Sequence, residues 1–508
     1  MVLRSANSPF TPEFDRLVQE QLEKWKVPGI TIAVVHRSST YSKAYGIAEF
    51  PTKKMTTDSL FSTCSTTKAF TAAAVSLAID ERKSSSSPIN WDTPISSLIR
   101  DDFILADDHT TCNTTIEDAL SHRSGLPTHV YATLLANPNE TLRHAVRNLR
   151  HLPLACAPRT TFAYSNQMYM AISHVLEQIN GESLGTTLQK QIWTPLAMHD
   201  TYFDVQAVSR DPSTAPRLVR GYTWAPEAEQ YVSEPYLDYA AMTGASAMVS
   251  TVLDYTKWLR AMIYRTGPIS TEGHAALLHP RSIISNTDDI VAPKAPYHLY
   301  ALGWFIDQID GEQLYWHSGS WPGFGIMVGF IPDKQWGFAM MGNATSARNV
   351  AQELYLYLID QLGVNHTPKD GERVTIKQET TQKNTGLDRS DDTKKKLYPC
   401  LPDPPIPHSL PLHQYAGIYS HPAYGPIPLV LDEQLSADLS DRAEKLRLAL
   451  QHASGEFFIG FLYSPGNGSA SREGFRVEFV IDSTGTAQKI GIELEPALRE
   501  KIWFERID

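Results

Sequence analysis

The feature that most restricts how this chain can fold is an interruption. From Asn365 to Lys396 it reads "NHTPKDGERVTIKQETTQKNTGLDRSDDTKKK", polar and nearly free of apolar residues. It then passes into the proline-dense "YPCLPDPPIPHSLP", Tyr398 to Pro411. A segment so poor in apolar surface cannot offset the conformational entropy lost on ordering, and the prolines keep the next segment extended. The 508 residues therefore divide into a large unit (1–365), a polar then proline-rich linker (366–410) and a small unit (411–508).

The two units differ in pattern. In the large one, Phe14, Leu17, Val18, Leu22 and Trp25 recur at helical spacing, and "VPGITIAVVH" follows as a strand entered through a Pro-Gly turn. "SKAYGIAEF" is its hairpin partner. Residues 65 to 80 form an alanine-rich helix. From about 84 to 300 the chain is mixed, with "TLRHAVRNL", "QMYMAISHVLEQI" and "TVLDYTKWLRAMIY" as its clearest helices. Beyond Leu302 come the strands "LGWFIDQ", "QLYWHSG", "GIMVGFIP" and "WGFAMMGN", then the helical "ARNVAQELYLYLIDQL". The expected class is α+β: an antiparallel sheet, a helix from each end of the unit, and a helical middle. The small unit shows "YAGIYSHPAYGPIPLVLD", "KLRLALQ", "EFFIGFLYS", "FRVEFVID", "KIGIEL" and "KIWFERI", short strands at regular spacing. They predict a small all-β sandwich or barrel.

Composition removes several function classes. With 42% hydrophobic and 20% charged residues the chain can bury a large core. A formal net charge of -11 lacks the basic footprint that nucleic acid needs. The N-terminus has no apolar signal region, and no uninterrupted apolar run reaches the roughly 18 residues of a membrane span. Cys64, Cys112, Cys156 and Cys400 are scattered, without metal spacing, and read as free thiols of a reducing compartment. The expected location is cytoplasmic, and sequons at Asn113 and Asn343 read as chance matches.

Chemistry concentrates in "FSTCSTTKAFTAAAVSLAID", Phe61 to Asp80. Ser65 and Lys68, three apart on a helix, share a face. Serine at a helix start meets free backbone N–H groups that favour developing negative charge, but it needs a base to take its proton. Lysine serves only if burial or nearby positive charge lowers its pKa, and the apolar run "AFTAAAV" supplies burial. No other lysine in the chain has a serine three residues before it. The pattern is short enough to occur by chance. Two further clusters add weight. Tyr164-Ser165-Asn166 stands just ahead of a helix, where a phenol can relay a proton and an amide can hold a substrate carbonyl. His317-Ser318-Gly319 closes a strand edge, and the backbone N–H of Ser320 with that of Ser65 can form an oxyanion hole. Taken singly, Tyr164 reads as a packed aromatic and His317 as a strand histidine; the ordered set is harder to explain so. Trp304, Trp321 and Phe324 are candidate pocket walls that read equally well as core.

The ordered set Ser65-Thr66-Thr67-Lys68, Tyr164-Ser165-Asn166 and His317-Ser318-Gly319 resembles the serine β-lactamase and penicillin-binding-protein superfamily. Its nearest likeness there is to the class C β-lactamase, family VIII esterase and D-aminopeptidase branch. "TIEDALSHRSGLP", "INWDTPISSLI" and "STVLDYTKWLRAM" agree, and the likeness spans about residues 10 to 365. From Gln414 to Tyr419 the tail resembles an appended lipocalin-like barrel. The resemblance implies an antiparallel sheet with flanking helices, an all-α subdomain, and an active site between them. It implies that Ser65 is acylated, that Lys68 and Tyr164 share general-base and general-acid duty, and that Asn166 orients the acyl group. Which of the pair takes the first proton stays open. No cofactor is implied.

One position departs. Where β-lactamases usually carry lysine in the third motif, His317 stands, mostly neutral at its ordinary pKa of about 6.5. That disfavours β-lactams and favours esters, thioesters or amides without an obligatory carboxylate. Three readings follow: a serine hydrolase on a small-molecule acyl substrate; an acyltransferase or cyclising thioesterase with the same acyl-enzyme; or an inactive scaffold whose barrel holds an apolar ligand. Neither a His-Glu-x-x-His metal site nor a Gly-x-Ser-x-Gly elbow is present.

Overall fold

Alternation along one strand sets the layering of the large unit. The computed structural model describes residues 8–226, 228–237, 239–284, 295, 297–364, 393–464 and 473–508. Helix α1 (Pro12–Lys24) begins at Thr11, whose side chain accepts the N–H of Phe14, with Pro12 in the first turn. It leads into β1 (Gly29–His36), β2 (Ser39–Glu49) and β3 (Lys53–Lys54). Within β1, Ile30, Ile32 and Val34 join the core formed with Phe14, Val18 and Leu22 of α1. Ala33 and Val35 join the opposite core. Successive side chains point to opposite faces, so a strand buried on both faces carries apolar residues throughout, and seven of its eight residues are buried.

The middle follows, with α2 (Thr67–Arg82), α3 (Ile116–Leu120), α4 (Val130–Leu134), α5 (Asn166–Asn180), α6 (Thr243–Ser246) and α7 (Val252–Tyr264) among other short helices; it is not all helical as the resemblance implies, because two small sheets of three and two strands lie within it. The chain then returns to the sheet through β4 (Ser282–Ile284), β5 (His298–Tyr300), β6 (Phe305–Ile309), β7 (Glu312–Trp321), β8 (Phe324–Ile331) and β9 (Trp336–Gly342), and ends the unit with α8 (Ala347–Asp360). The nine strands lie in the order β3-β2-β1-β9-β8-β7-β6-β5-β4. The sheet is therefore closed at its centre by antiparallel pairing of the earliest strand with the latest, Ile30 opposite Gly342 and His36 opposite Trp336. α1 and α8 cover one face. On the other, residues 67–78 of α2 are all buried, its alanines letting neighbouring helices approach closely.

The small unit is a closed barrel of eight antiparallel strands: β10 (Gly417–His421), β11 (Gly425–Leu431), β12 (Leu435–Leu439), β13 (Leu446–Ser454), β14 (Phe457–Tyr463), β15 (Glu473–Ile481), β16 (Ala487–Ile492) and β17 (Ile502–Arg506). Pairing of Tyr419 with Arg506 shuts it. Tyr415, Tyr419, Phe458 and Phe479 pack against one another inside, with ring centroids 4.9 to 5.8 Å apart. The mixed sheet-and-helix domain followed by an all-β barrel is the architecture the sequence predicts.

In the nine-stranded sheet and the barrel four strands escape the sequence pattern, the first being β3, two residues long. Ser282–Ile284 and His298–Tyr300 are three residues each, too short to show a period, and Leu435–Leu439 carries Ser436 and Asp438 on its outer face. The polar stretch lies, from 365 to 392, outside the described residues. The proline-rich segment, with a turn at 399–400 and bends at 403–404 and 409–410, lies against the barrel, where the Tyr398 hydroxyl donates to the carbonyl of Phe458 at 2.9 Å. All four cysteines are free. Asn343 is fully buried: its Oδ1 accepts the N–H of Gly29 and its Nδ2 donates to the carbonyl of Ile47, so that sequon is structural. Among the described residues no helix is long and apolar enough to cross a membrane.

Candidate active site

Ser65 sits in a single 3-10 turn, Cys64–Thr66, directly before α2. The turn is tight. Cys64 has φ of +49°, a region non-glycine residues enter only when surroundings enforce it. The Thr66 hydroxyl donates to the carbonyl of Thr63 and the Thr67 hydroxyl to that of Cys64, and Thr66 meets the Tyr255 hydroxyl at 2.7 Å. The threonines around Ser65 and Lys68 thus lock the turn. The Cys64 thiol, pushed up to about 12 by burial, stays protonated and is no rival nucleophile.

Lys68, one turn on, is fully buried. Its Nζ lies 3.2 Å from Ser65 Oγ, 2.7 Å from Asn166 Oδ1 and 2.9 Å from the carbonyl of Ala245. It also lies 4.9 Å from the ring centroid of Tyr164 and 5.3 Å from that of Tyr169. The Ala245 carbonyl reaches it because Gly244 is small. A Cβ on Gly244 would sit 2.5 Å from the side-chain oxygens of Ser173 and Thr71, so only glycine lets α6 wedge between α2 and α5. Burial drives the Lys68 pKa well below the ordinary lysine value. Among the described residues no carboxylate bonds to it. In its neutral form the amine can donate to the two obligate acceptors, Asn166 Oδ1 and the Ala245 carbonyl, and turn its lone pair toward Ser65.

The second motif ends where α5 begins, so Asn166 projects from the first turn. The imidazole of His122 fixes it from behind: Nδ1 accepts the N–H of Ser165 at 3.0 Å, and the ring lies against Tyr164 with centroids 4.3 Å apart. The third motif lies on β7. β6 pairs with it only as far as Phe305 opposite Trp316, whereas β8 pairs with it through Trp321. Residues 317–321 therefore keep one strand edge open toward the Ser65 turn. Gly319 makes the approach possible, since a Cβ there would be 2.5 Å from the carbonyl of Thr63 and 3.2 Å from the N of Ser65.

His317 is buried on this strand. Its Nδ1 donates to the carbonyl of Ser318 at 2.6 Å, and its Nε2 accepts the Tyr300 hydroxyl at 3.0 Å. Burial, then the nearness of Lys68, pushes its pKa to about 3, so it carries no charge. Ser65, Tyr164, Asn166, Ser318 and Ser320 are half-buried while Lys68, His317 and Gly319 are buried. The half-buried side chains line the cleft, with the Lys68 amine beneath them.

The pocket walls divide. Trp321 is half-buried. Trp304 is fully buried and edge-on to Phe330 at 5.1 Å, and Phe324 is 1% exposed, near-parallel to Tyr236. Both belong to the core, packed within one buried apolar cluster. Sequence reasoning assigned no role to His122, Tyr300 or the Ala245 carbonyl. His122 stood in the quoted "TIEDALSHRSGLP"; the other two carry no local signal.

Comparison with known proteins agrees with the fold. The beta-lactamase family model matches residues 14–361, and the model of a domain of unknown function (DUF3471) matches residues 401–506. An unguisins hydrolase of Aspergillus campestris is 32% identical over 99% of this chain and 93% of its own length. The octameric penicillin-binding protein homologue of Pyrococcus abyssi superposes with a TM-score of 0.60 at 21% identity, covering 97% of this chain and 99% of its own. The D-amino acid amidase of Ochrobactrum anthropi SV3 does so with a TM-score of 0.56 at 20% identity, covering 68% and 99%. With its family model spanning both the sheet and the middle, this chain belongs to the beta-lactamase family of hydrolases.

Proposed function

We propose that this protein hydrolyses an amide or ester bond of a small-molecule substrate through an acyl-Ser65 intermediate. One observation carries the reading: a fully buried lysine amine, held by two acceptors, stands 3.2 Å from the Ser65 hydroxyl. In the forward step Ser65 Oγ bonds to the substrate carbonyl carbon while Lys68 takes its proton. The backbone N–H groups of Ser65 and Ser320 receive the oxyanion. As the C–N or C–O bond breaks, the proton passes through the Lys68–Tyr164 pair to the leaving group. Water then repeats the sequence on the acyl-enzyme and frees the acid.

A neutral His317 narrows the substrate. A carboxylate beside it finds no fixed positive charge there, so we read the substrate as one uncharged next to the scissile carbonyl. The unguisins hydrolase relative supports a substrate of the unguisin kind. Intact-mass spectrometry with a panel of amide and ester donors tests the reading. A stable adduct on the wild type, absent in Ser65→Ala, is expected. Turnover retained in Ser65→Ala removes Ser65 from the mechanism, and transfer of the adduct to an added amine faster than to water makes the protein an acyltransferase.

A further inference from the structure

We propose that the barrel is a positioning element of the active site, acting through His129 and Gln167 on the second motif; this rests on the acyl-Ser65 reading. His129 is fully buried at φ 40°, ψ 49°, a left-handed backbone that needs enforcement. Two of its restraints come from the barrel unit. Glu495 Oε2 accepts its N–H at 2.6 Å, and the Tyr424 hydroxyl lies 2.8 Å from its Nδ1. Its Nε2 is 2.9 Å from the carbonyl of Pro153. That carbonyl only accepts, so the ring proton sits on Nε2 and Tyr424 donates to Nδ1.

From His129 the path runs inward. Its carbonyl accepts from Gln167 Nε2 at 3.2 Å, which also reaches Thr133 Oγ1 at 3.3 Å, and Gln167 Oε1 accepts from Ser165 Oγ at 3.5 Å. Gln167 and Ser165 flank Asn166, whose Oδ1 accepts from Lys68 at 2.7 Å. The barrel grips the same segment further along. The N–H groups of Ala443 and Glu444 donate to the carbonyls of Ala136 and Leu134 at 2.9 and 3.0 Å, and Phe475 packs edge-on to Tyr131 at 5.2 Å. Glu495 is 4% exposed and Tyr424 1%. Burying a carboxyl and a phenol at a contact that serves only adhesion costs desolvation that apolar side chains avoid. Their placement, at the one residue whose carbonyl orients Gln167, points instead to the motif.

The test uses the full chain, with the fluorophosphonate labelling rate at Ser65 and kcat and KM for a p-nitrophenyl ester. Glu495→Ala and Tyr424→Phe are expected to slow labelling and kcat about 10- to 100-fold with KM little changed, the mark of a misplaced catalytic group. Glu495→Gln is expected to stay closer to wild type than Glu495→Ala, because its amide oxygen still accepts the His129 N–H and only the Ala497 N–H, which the other carboxylate oxygen accepts at 3.0 Å, is given up. If Glu495→Ala fails to fold, Tyr424→Phe, which deletes one oxygen, carries the comparison. Wild-type labelling at Ser65 with equal rates in folded Glu495→Ala and Tyr424→Phe overturns the inference and leaves the barrel a stabiliser. Glu495→Gln as slow as Glu495→Ala overturns it too. A wild type that takes no label removes the acyl-enzyme reading itself.

Discussion

The cleft of the large unit and the interior of the barrel are both densely buried, yet they bury opposite things. Beneath Ser65 lie a lysine and two histidines, Lys68, His122 and His317, all within 1% of full burial. Inside the barrel lie aromatic rings packed ring on ring. In the cleft, burial acts on titratable groups, and in each of these three it favours the neutral form. In the barrel, burial acts mainly on hydrocarbon, yielding packing free energy. What the barrel unit would offer the cleft lies in Glu495 and Tyr424, which meet His129.

The contrast can be broken most severely at Lys68. Lys68→Met, close in volume, is expected to lower the acylation rate about 10²- to 10⁴-fold, the span of general-base catalysis. Its pH dependence sharpens the point. The base must be neutral, so wild-type burst rates rise with pH through the depressed Lys68 pKa, and the variant loses that limb. Equal burst kinetics in the two proteins would contradict the role.

A change inside the barrel is expected to act on stability alone. Phe479→Ala, at a site 2% exposed, should cost roughly 3–5 kcal/mol of unfolding free energy. Denaturant unfolding measures that loss, while Ser65 labelling of the folded protein should not change. Slowed labelling would show that the barrel interior, and not only the contacts with His129, reaches the cleft.

The smallest effect is expected where the units meet. Burial, then the charge of Glu234, raises the Glu444 pKa to about 7. Between its ordinary value near 4.5 and about 7 the folded chain holds more of this proton than the unfolded chain. Stability from this group is full below the lower value and falls as pH rises to the upper one, by about 3 kcal/mol at most. Glu444→Gln should flatten that fall between pH 5 and 8 in melting curves. An unchanged slope would mean that Glu444 titrates as it does in water.

Much of this was legible along the chain because its signals are local. The Ser65–Lys68 spacing needs one helical turn, the buried α2 needs its alanines, and the strands β6 to β9 announce themselves by composition between turns. Three-residue β4 and β5 were not legible, since a period cannot show in so few residues. Trp304 and Phe324 read as core or wall with equal ease, because a large apolar side chain looks the same in either place. His317 was expected to be mostly neutral; burial beside Lys68 makes it wholly so.

By itself the sequence determined which residue types could do chemistry and in what order they come, together with the break between a mixed domain and a barrel. Tertiary structure alone decided that Lys68 meets Asn166 98 residues away and the Ala245 carbonyl 177 away, and that Glu495 holds His129 across 366. The physical reason is range: helical and strand periods act over a few residues. Hydrogen-bond partners and the depth of burial that neutralises an amine belong to the packed whole.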